Sequence, residues 1–307
     1  MNPVKKDQAA GNRRLRFPKH IREEWYGRVY AYFCVTLLIV TIVSIVWFIA
    51  SKGLNPFLSG AVSVPELLFG RTWSPESEPP LFGALPFLAG SISVSLLAAV
   101  LAAPFGFCAA VFMTQIAPKV GRRFLQPAIE LLAGIPSVVY GFVGLSVIVP
   151  FLRNNFTGQG FGILAGTLVL SVMILPTITS IATDALSNLQ AGLKEGSFAL
   201  GATRWQTIYR LILPTTFPSL LTGVVLGISR AFGEALAVQM VIGNAPHVPR
   251  SLLESAATLT SIITLEMGNT VGGSLHNNVL WSLALILLIM TFLFVFTVRM
   301  LERRAGR

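Results

Sequence analysis

Leu81–Thr114, LFGALPFLAGSISVSLLAAVLAAPFGFCAAVFMT, runs for 34 residues without a charged side chain. An α-helix rises 1.5 Å per residue, so about 20 uncharged residues cross the roughly 30 Å of bilayer hydrocarbon. The stretch predicts one span over about 85–114, preceded by a short re-entrant or interfacial lead-in. Five further runs have the same character: Val29–Ala50, Leu131–Leu152, Phe161–Thr183, Leu211–Gly243 and Val279–Val298, the fifth interrupted only by Arg230 and Glu234. Of the 307 residues 53% are apolar and 12% charged, the latter about half the share of a soluble domain. So few charges cannot cover a water-facing surface of this size, which argues against a soluble enzyme, a disordered chain and a repeat array. The expectation is an all-α integral membrane protein with six transmembrane helices.

Basic residues set its direction. The net charge is +10, from 23 Lys+Arg against 13 Asp+Glu. In a soluble protein that excess would suggest nucleic acid; in a membrane protein Lys and Arg collect on the cytoplasmic side. With the N-terminus inside, the cytoplasmic segments carry 18 of them and the opposite side four: Lys52, Arg71, Arg153 and Arg250. Both termini are therefore expected in the cytoplasm, with a solvated basic tail over 1–28, a permease domain over 29–300 and a short tail over 301–307. The first run is too long, and Lys52 follows too poor a cleavage context, for a signal peptide. Ser251–Met267 is short and carries Glu254 and Glu266, so it reads as a helix on or near the outer face rather than a seventh span. Pro104, Pro136 and Pro176 fall within the predicted spans, either as ordinary kinks or as hinges along a pathway. Cys34 and Cys108 lie in apolar runs and read as packing residues. His247 and His276 lack metal-ligand spacing and read as solvated loop residues, so no metal site is expected.

The segment 185–210, ALSNLQAGLKEGSFALGATRWQTIYR, is the longest predicted cytoplasmic loop and carries few charges. Ser187–Gln190 and Thr203–Gln206 both fit the S/T-x-x-Q capping box. Gly201 stands where a first short helix should stop in a left-handed turn. The reading is two short helices joined at a glycine, presenting Leu193, Phe198, Leu200 and Trp205 for burial against something outside the lipid.

These residues carry a resemblance. Glu195-Gly196-Ser197, three residues, Gly201, nine residues, then Leu211-Ile212-Leu213-Pro214 resembles the EAA signature of ABC importer permeases, with Gly196 and Ser197 in place of its two alanines and Leu211 in place of isoleucine. ELLAGIPSVVYGFVGL (130–145), SNLQAGLKEGSFALGATRWQTI (187–208) and GISRAFGEALAV (227–238) widen it to the permeases of phosphate-specific transporters, of PstC type rather than PstA type, over about residues 30–300. The resemblance implies a type I importer fold in a bacterial plasma (inner) membrane. It implies a second, PstA-type permease, two ATP-binding subunits and an extracytoplasmic phosphate-binding protein as partners, with nucleic acid not among them. It also implies that loop 185–210 docks on the ATPase, with Glu195, Gly196, Ser197, Gly201, Leu213 and Pro214 as coupling positions. No Walker A pattern occurs, so ATP and Mg are expected on the partner ATPase, with no cofactor or enzymatic activity on this chain.

Arg230 and Glu234 are the ionisable residues well inside a span. Counted from Thr215, Arg230 lies about 15 residues or roughly 22 Å in. A charge there costs at least ~2.5–3.5 kcal/mol on insertion scales, so such groups face a bundle interior or watery cavity and are paired. Spacing of i, i+4 places both on one helical face, within reach of each other. Either the two form an ion pair that organises packing, or they line a substrate pathway, with Arg230 offering a forked guanidinium to phosphate and Glu234 holding it between transport events. Sulfate, molybdate or phosphonate remain alternative substrates, and an ion-coupled secondary carrier remains an alternative class.

Overall fold

The computed structural model describes residues 19–156 and 158–305, with side chains over 25–300 apart from Thr157. Residues 1–18 of the expected basic tail, and the side chains of 301–307, lie outside the described residues. Two compact units divide the chain, residues 1–48 and 49–307.

Helix α1 (Lys19–Leu58) leads into α2 (Val64–Phe69) and an antiparallel pair, β1 (Trp73–Ser74) with β2 (Leu81–Phe82). Helix α3 (Leu85–Val111) is prolonged by a π-helical turn to Ile116. Two shorter helices, α4 (Pro118–Val120) and α5 (Gln126–Gly134), precede α6 (Ser137–Val143), which continues through a π turn into α7 (Val149–Asn155). Then come α8 (Ile163–Ser187), α9 (Ala191–Ala199), α10 (Arg204–Thr207), a π turn over Ile208–Ile212 and α11 (Leu213–Gly233). The last are α12 (Leu236–Ile242), α13 (Leu259–Glu266) and α14 (Leu275–Ala305). Among the described residues six helical stretches are long and apolar enough to cross a membrane: Trp25–Leu58, Leu85–Ile116, Ser137–Asn155, Ile163–Ser187, Arg204–Gly233 and Leu275–Met300. In hydrocarbon every backbone polar group must be satisfied within its own segment, which leaves the helix as the available spanning form for such runs.

α8 is the centre of the second unit. Leu170, Ile174 and Ile178 are at most 1% exposed and pack with Val94 and Ala98 of α3, Ile228 of α11 and Val238 and Val241 of α12. Lipid tails are as apolar as leucine, so close approach rather than apolarity selects these contacts. Glycine supplies the approach: a Cβ at Gly106 or Gly227 would stand 2.9 Å from a side-chain carbon of Ile178. A second cluster, at the end bearing the β pair, gathers Trp73, Phe82 and Phe87 against Leu259, Ile262 and Leu280. A third, at the opposite end, joins Ala110, Ala182, Leu186, Ile208 and Ile212.

Three features depart from the sequence reading. The lead-in to the second span is a strand, Leu81–Phe82 paired with Trp73–Ser74. Pro136 does not sit inside a span. Ile135 and Pro136 are extended, with ψ of 129° and 142°, so α5 ends and the third span opens at Ser137. A proline drives its predecessor out of the helical region, and Tyr140 Oη caps the interrupted end by donating to Leu132 O at 2.6 Å. The 251–267 segment is not a helix lying on the face. Its helix is confined to Leu259–Glu266, and Ala256, Ala257, Leu259 and Ser261 are fully buried. Leu259 N donates to Ser91 Oγ of α3 at 2.9 Å, and a Cβ at Gly90 would run into the Ala257 carbonyl oxygen.

Candidate functional site: a helical corner and a broken span

The connection from α8 to α11 builds a rigid helical corner. α8 carries Ser187 in its own last turn, so the predicted Ser187–Gln190 capping pair does not form; α9 starts after Gln190 without a side-chain cap. α9 ends where the sequence predicts. Gly201 takes φ +82°, its amide donating to Phe198 O at 2.9 Å, and Ala202 N donates to Ser197 O at 3.2 Å. The Thr203–Gln206 box is complete: Gln206 N donates to Thr203 Oγ1 at 3.3 Å and Thr203 N to Gln206 Oε1 at 2.8 Å. The helix it caps is not a second loop helix but the start of the fifth span, which opens at Arg204. Pro214 has no N–H for the carbonyl four residues back, and the helix widens into the π turn Ile208–Ile212 just before it.

One hydroxyl pair ties the corner. Ser197 Oγ of α9 lies 2.9 Å from Thr207 Oγ1 of α10, whose hydroxyl also reaches Thr203 O at 3.1 Å; Thr207 is buried. Around that tie the surface is apolar and open: Leu200 is 91% exposed, Trp205 67%, Phe198 49% and Leu193 41%. Glu195 and Gly196 are exposed on α9, Leu213 is half-buried and Pro214 exposed at the start of α11. A groove of about 580 Å³ runs between Leu193, Gly196 and Ser197 on one side and Leu200, Gln206 and Leu211 on the other. Contiguous exposed apolar surface of this kind marks a contact surface, for protein or for membrane.

The charge pair is arranged differently from its i, i+4 expectation. α11 ends at Gly233, and Glu234 is extended with φ −76° and ψ 124°. Arg230 and Glu234 therefore do not share a helical face, and among the described residues no ion pair joins them. Arg230 is exposed and its Nη1 donates to Thr177 Oγ1 of α8 at 3.2 Å, beside the internal Pro176. Glu234 instead secures the break: its Oε1 accepts from Ala237 N at 3.2 Å, capping α12, and its carbonyl accepts from Thr260 Oγ1 of α13 at 2.7 Å. The result is a guanidinium with no ion-pair partner among the described residues, held by one hydroxyl beside a discontinuous helix.

Both histidines of the far end have acidic partners; His247 is an exposed loop residue, as expected, whereas His276 is half-buried in the first turn of α14. His276 Nε2 lies 2.8 Å from Glu266 Oε2, and Trp73 Nε1 donates to both Glu266 oxygens at 3.2 Å. His247 Nε2 lies 3.0 Å from Glu254 Oε1, while Arg250 N donates to Glu254 Oε2 at 2.7 Å. The Arg250 amide, and after it the His247 ring, holds the Glu254 carboxyl below the ordinary glutamate range.

Residues 102–307 match the family described as binding-protein-dependent transport system inner membrane component. A probable ABC transporter permease protein of Bacillus subtilis, YqgH, is 54% identical over 283 residues, covering 92% of each chain. Phosphate transport system permease proteins PstC of Mesorhizobium japonicum and Pasteurella multocida are 37% and 35% identical, over 77% and 78% of this chain and 78% and 81% of theirs. Among solved structures, a chain of a bacterial ABC transporter importing alginate aligns with TM-score 0.62 at 15% identity, over 94% of this chain and 99% of that one. A chain of the inward-facing MetNI methionine transporter aligns with TM-score 0.58 at 20% identity, over 75% of this chain and 100% of the other. At these identities the two structures speak for the fold, that of a type I ABC importer permease.

Proposed function

This chain belongs to the family of binding-protein-dependent transport system inner membrane components, and from that premise we propose that it is a permease subunit of an ATP-driven importer of inorganic phosphate. The observation that carries the substrate is its likeness, over more than three quarters of its length, to phosphate transport permeases. The chain lies in a bacterial plasma membrane with its termini in the cytoplasm, the direction favoured by its Lys and Arg distribution.

In this reading the chain pairs with a second, homologous permease to enclose one pathway. Two ATP-binding subunits sit on the cytoplasmic side and a phosphate-binding protein on the other. The corner built from α9, Gly201 and α10 seats in the ATPase, burying Leu193, Phe198, Leu200 and Trp205. Glu195, Gly196, Ser197, Gly201, Leu213 and Pro214 form and orient that contact. Because α10 runs without interruption into α11, closure of the ATPase pair moves the fifth span directly, and through it Arg230. ATP and Mg belong to the partner; this chain binds no cofactor and performs no hydrolysis.

Arg230 offers phosphate two parallel N–H donors in exchange for its contact with Thr177. Glu234 keeps the span broken just after Arg230, by capping α12 and holding Thr260. A single arginine holds an anion weakly, which transit requires, since a deep trap would stop release. Selection of phosphate over other anions then falls mainly to the binding protein. Phosphate uptake by Arg230→Lys and Glu234→Gln variants, at matched membrane levels, tests the pathway roles. Reduced uptake in both is expected, and wild-type uptake in both would remove these residues from the pathway.

A further inference from the structure

We propose that the end of the molecule opposite α9 carries a separate phosphate-group recess, formed by the guanidiniums of Arg71 and Arg250. Two of the four basic residues assigned to that side are thereby brought together, one from the segment between α2 and β1 and one from the segment after α12. They line a recess of about 530 Å³ with His247, Glu254, Leu85 and Val248. Among the described residues neither guanidinium has a hydrogen-bond or ion-pair partner. Glu254 forms no ion pair with either guanidinium among the described residues: its oxygens accept from the Arg250 amide at 2.7 Å and lie 3.0 Å from the His247 ring, so two guanidiniums stand against one carboxylate.

Those same bonds hold the recess in shape. Ala256 N donates to Ile242 O at 3.0 Å, Ala245 N to Ala256 O at 3.2 Å, and Asn244 Nδ2 to Gln239 O at 2.9 Å. Arg250 is thus presented from a fixed segment, which limits the ordering cost of binding. Two guanidiniums supply planar forks of donors and no acceptor, a match for a ligand with several oxygens around one centre. A phosphate group fits that description whether it is free inorganic phosphate or the headgroup of a phospholipid at the mouth of the second span, which Leu85 begins. The free-phosphate source rests on the proposed function, whereas the headgroup source does not.

The test is arginine modification by phenylglyoxal of the assembled permease complex in nanodiscs, read residue by residue by peptide mass spectrometry. One arm uses zwitterionic lipid and millimolar inorganic phosphate against chloride at equal ionic strength, which removes simple screening. The other uses phosphatidylglycerol discs without phosphate. Modification of Arg71 and Arg250 is expected to fall about fivefold or more in one arm. Arg153, whose Nε donates to Gln159 O at 2.9 Å, should keep its rate throughout. Protection in the first arm assigns free phosphate, and in the second a lipid headgroup. Arg250→Lys should weaken the protection of Arg71, because lysine lacks the planar fork. Unchanged rates in both arms, or protection that appears only with added binding protein, would overturn the recess. Uptake does not enter this readout, so failure of the phosphate-import reading and failure of the recess are distinguishable.

Discussion

Ser197→Ala is the most informative small perturbation of the α9 corner, because it restores the residue that the EAA signature carries while removing one contact. The contact is the 2.9 Å hydroxyl pair with Thr207, which is 1% exposed. A neutral hydrogen bond contributes about 0.5–1.5 kcal/mol net, and here the Thr207 hydroxyl keeps its bond to Thr203 O, so the loss belongs near the middle of that range. About 1 kcal/mol less protection against local opening corresponds to roughly fivefold faster amide exchange. The acceleration should be confined to α9 and the turn at Gly201, since α10 keeps its capping box and its continuity with α11. Hydrogen exchange with mass spectrometry on the reconstituted complex measures it directly, and Ser197→Thr, which retains a hydroxyl, should restore most of the protection. The same variant should hydrolyse more ATP per phosphate imported, because a loosened α9 moves without carrying the fifth span. Unchanged exchange in α9, or acceleration spread evenly over α8 and α11, would refute the idea that this hydroxyl pair fixes the corner.

Three other contacts give outcomes of their own. Gly90→Ala places a methyl group against the Ala257 carbonyl oxygen and should destabilise the protein by about 1–3 kcal/mol, seen as a lower midpoint of thermal unfolding in detergent; an unchanged midpoint would mean the α3–α13 approach is looser than described. Glu234→Ala removes the acceptor for Ala237 N and should cost about 0.5–2 kcal/mol, whereas Glu234→Gln keeps an acceptor and should cost less, so equal thermal shifts would dismiss the capping role. Because folding depresses the Glu254 pKa, its contribution is fully present above the ordinary value of 4.5 and is lost as pH falls through the lower folded value. A spin label at Leu252→Cys, with Cys34 and Cys108 replaced by alanine, should therefore stay immobile from neutral pH to about 4.5 and loosen only below it; loosening well above pH 4.5 would refute Glu254 as its origin.

The parts of the structure legible in the sequence are those decided by local chemistry. An uncharged run long enough for hydrocarbon has one stable backbone solution, which is why six spans can be counted from charges alone. Gly201 and the Thr203–Gln206 box are readable because turn and cap are settled within four residues. Where distant groups decide, reading fails. The interior of GISRAFGEALAV gives no strong signal that α11 stops at Gly233, since an isolated glycine is tolerated in a helix. The break is stabilised by Thr260, 26 residues further on, so the i, i+4 spacing of Arg230 and Glu234 does not become a pairing. His276 resembles a loop residue in sequence because Glu266 faces it across a turn and Trp73 reaches that carboxylate from 193 residues away. Pro136 carries a local signal after all: a proline after Gly134-Ile135 favours a helix boundary over a kink.

In the proposed function this permease moves phosphate by coupling an external binding protein to an ATPase docked on the α9 corner. The most direct test is ATP hydrolysis by the purified permease and ATPase complex in proteoliposomes, with the binding protein added empty, loaded with phosphate, or presented with sulfate. Hydrolysis should rise with phosphate-loaded binding protein well above the empty and sulfate conditions, and Leu200→Glu with Trp205→Glu should abolish the rise by detaching the ATPase. Stimulation by sulfate or another anion without stimulation by phosphate would contradict the substrate. A full response with the α9 corner altered would contradict the coupling.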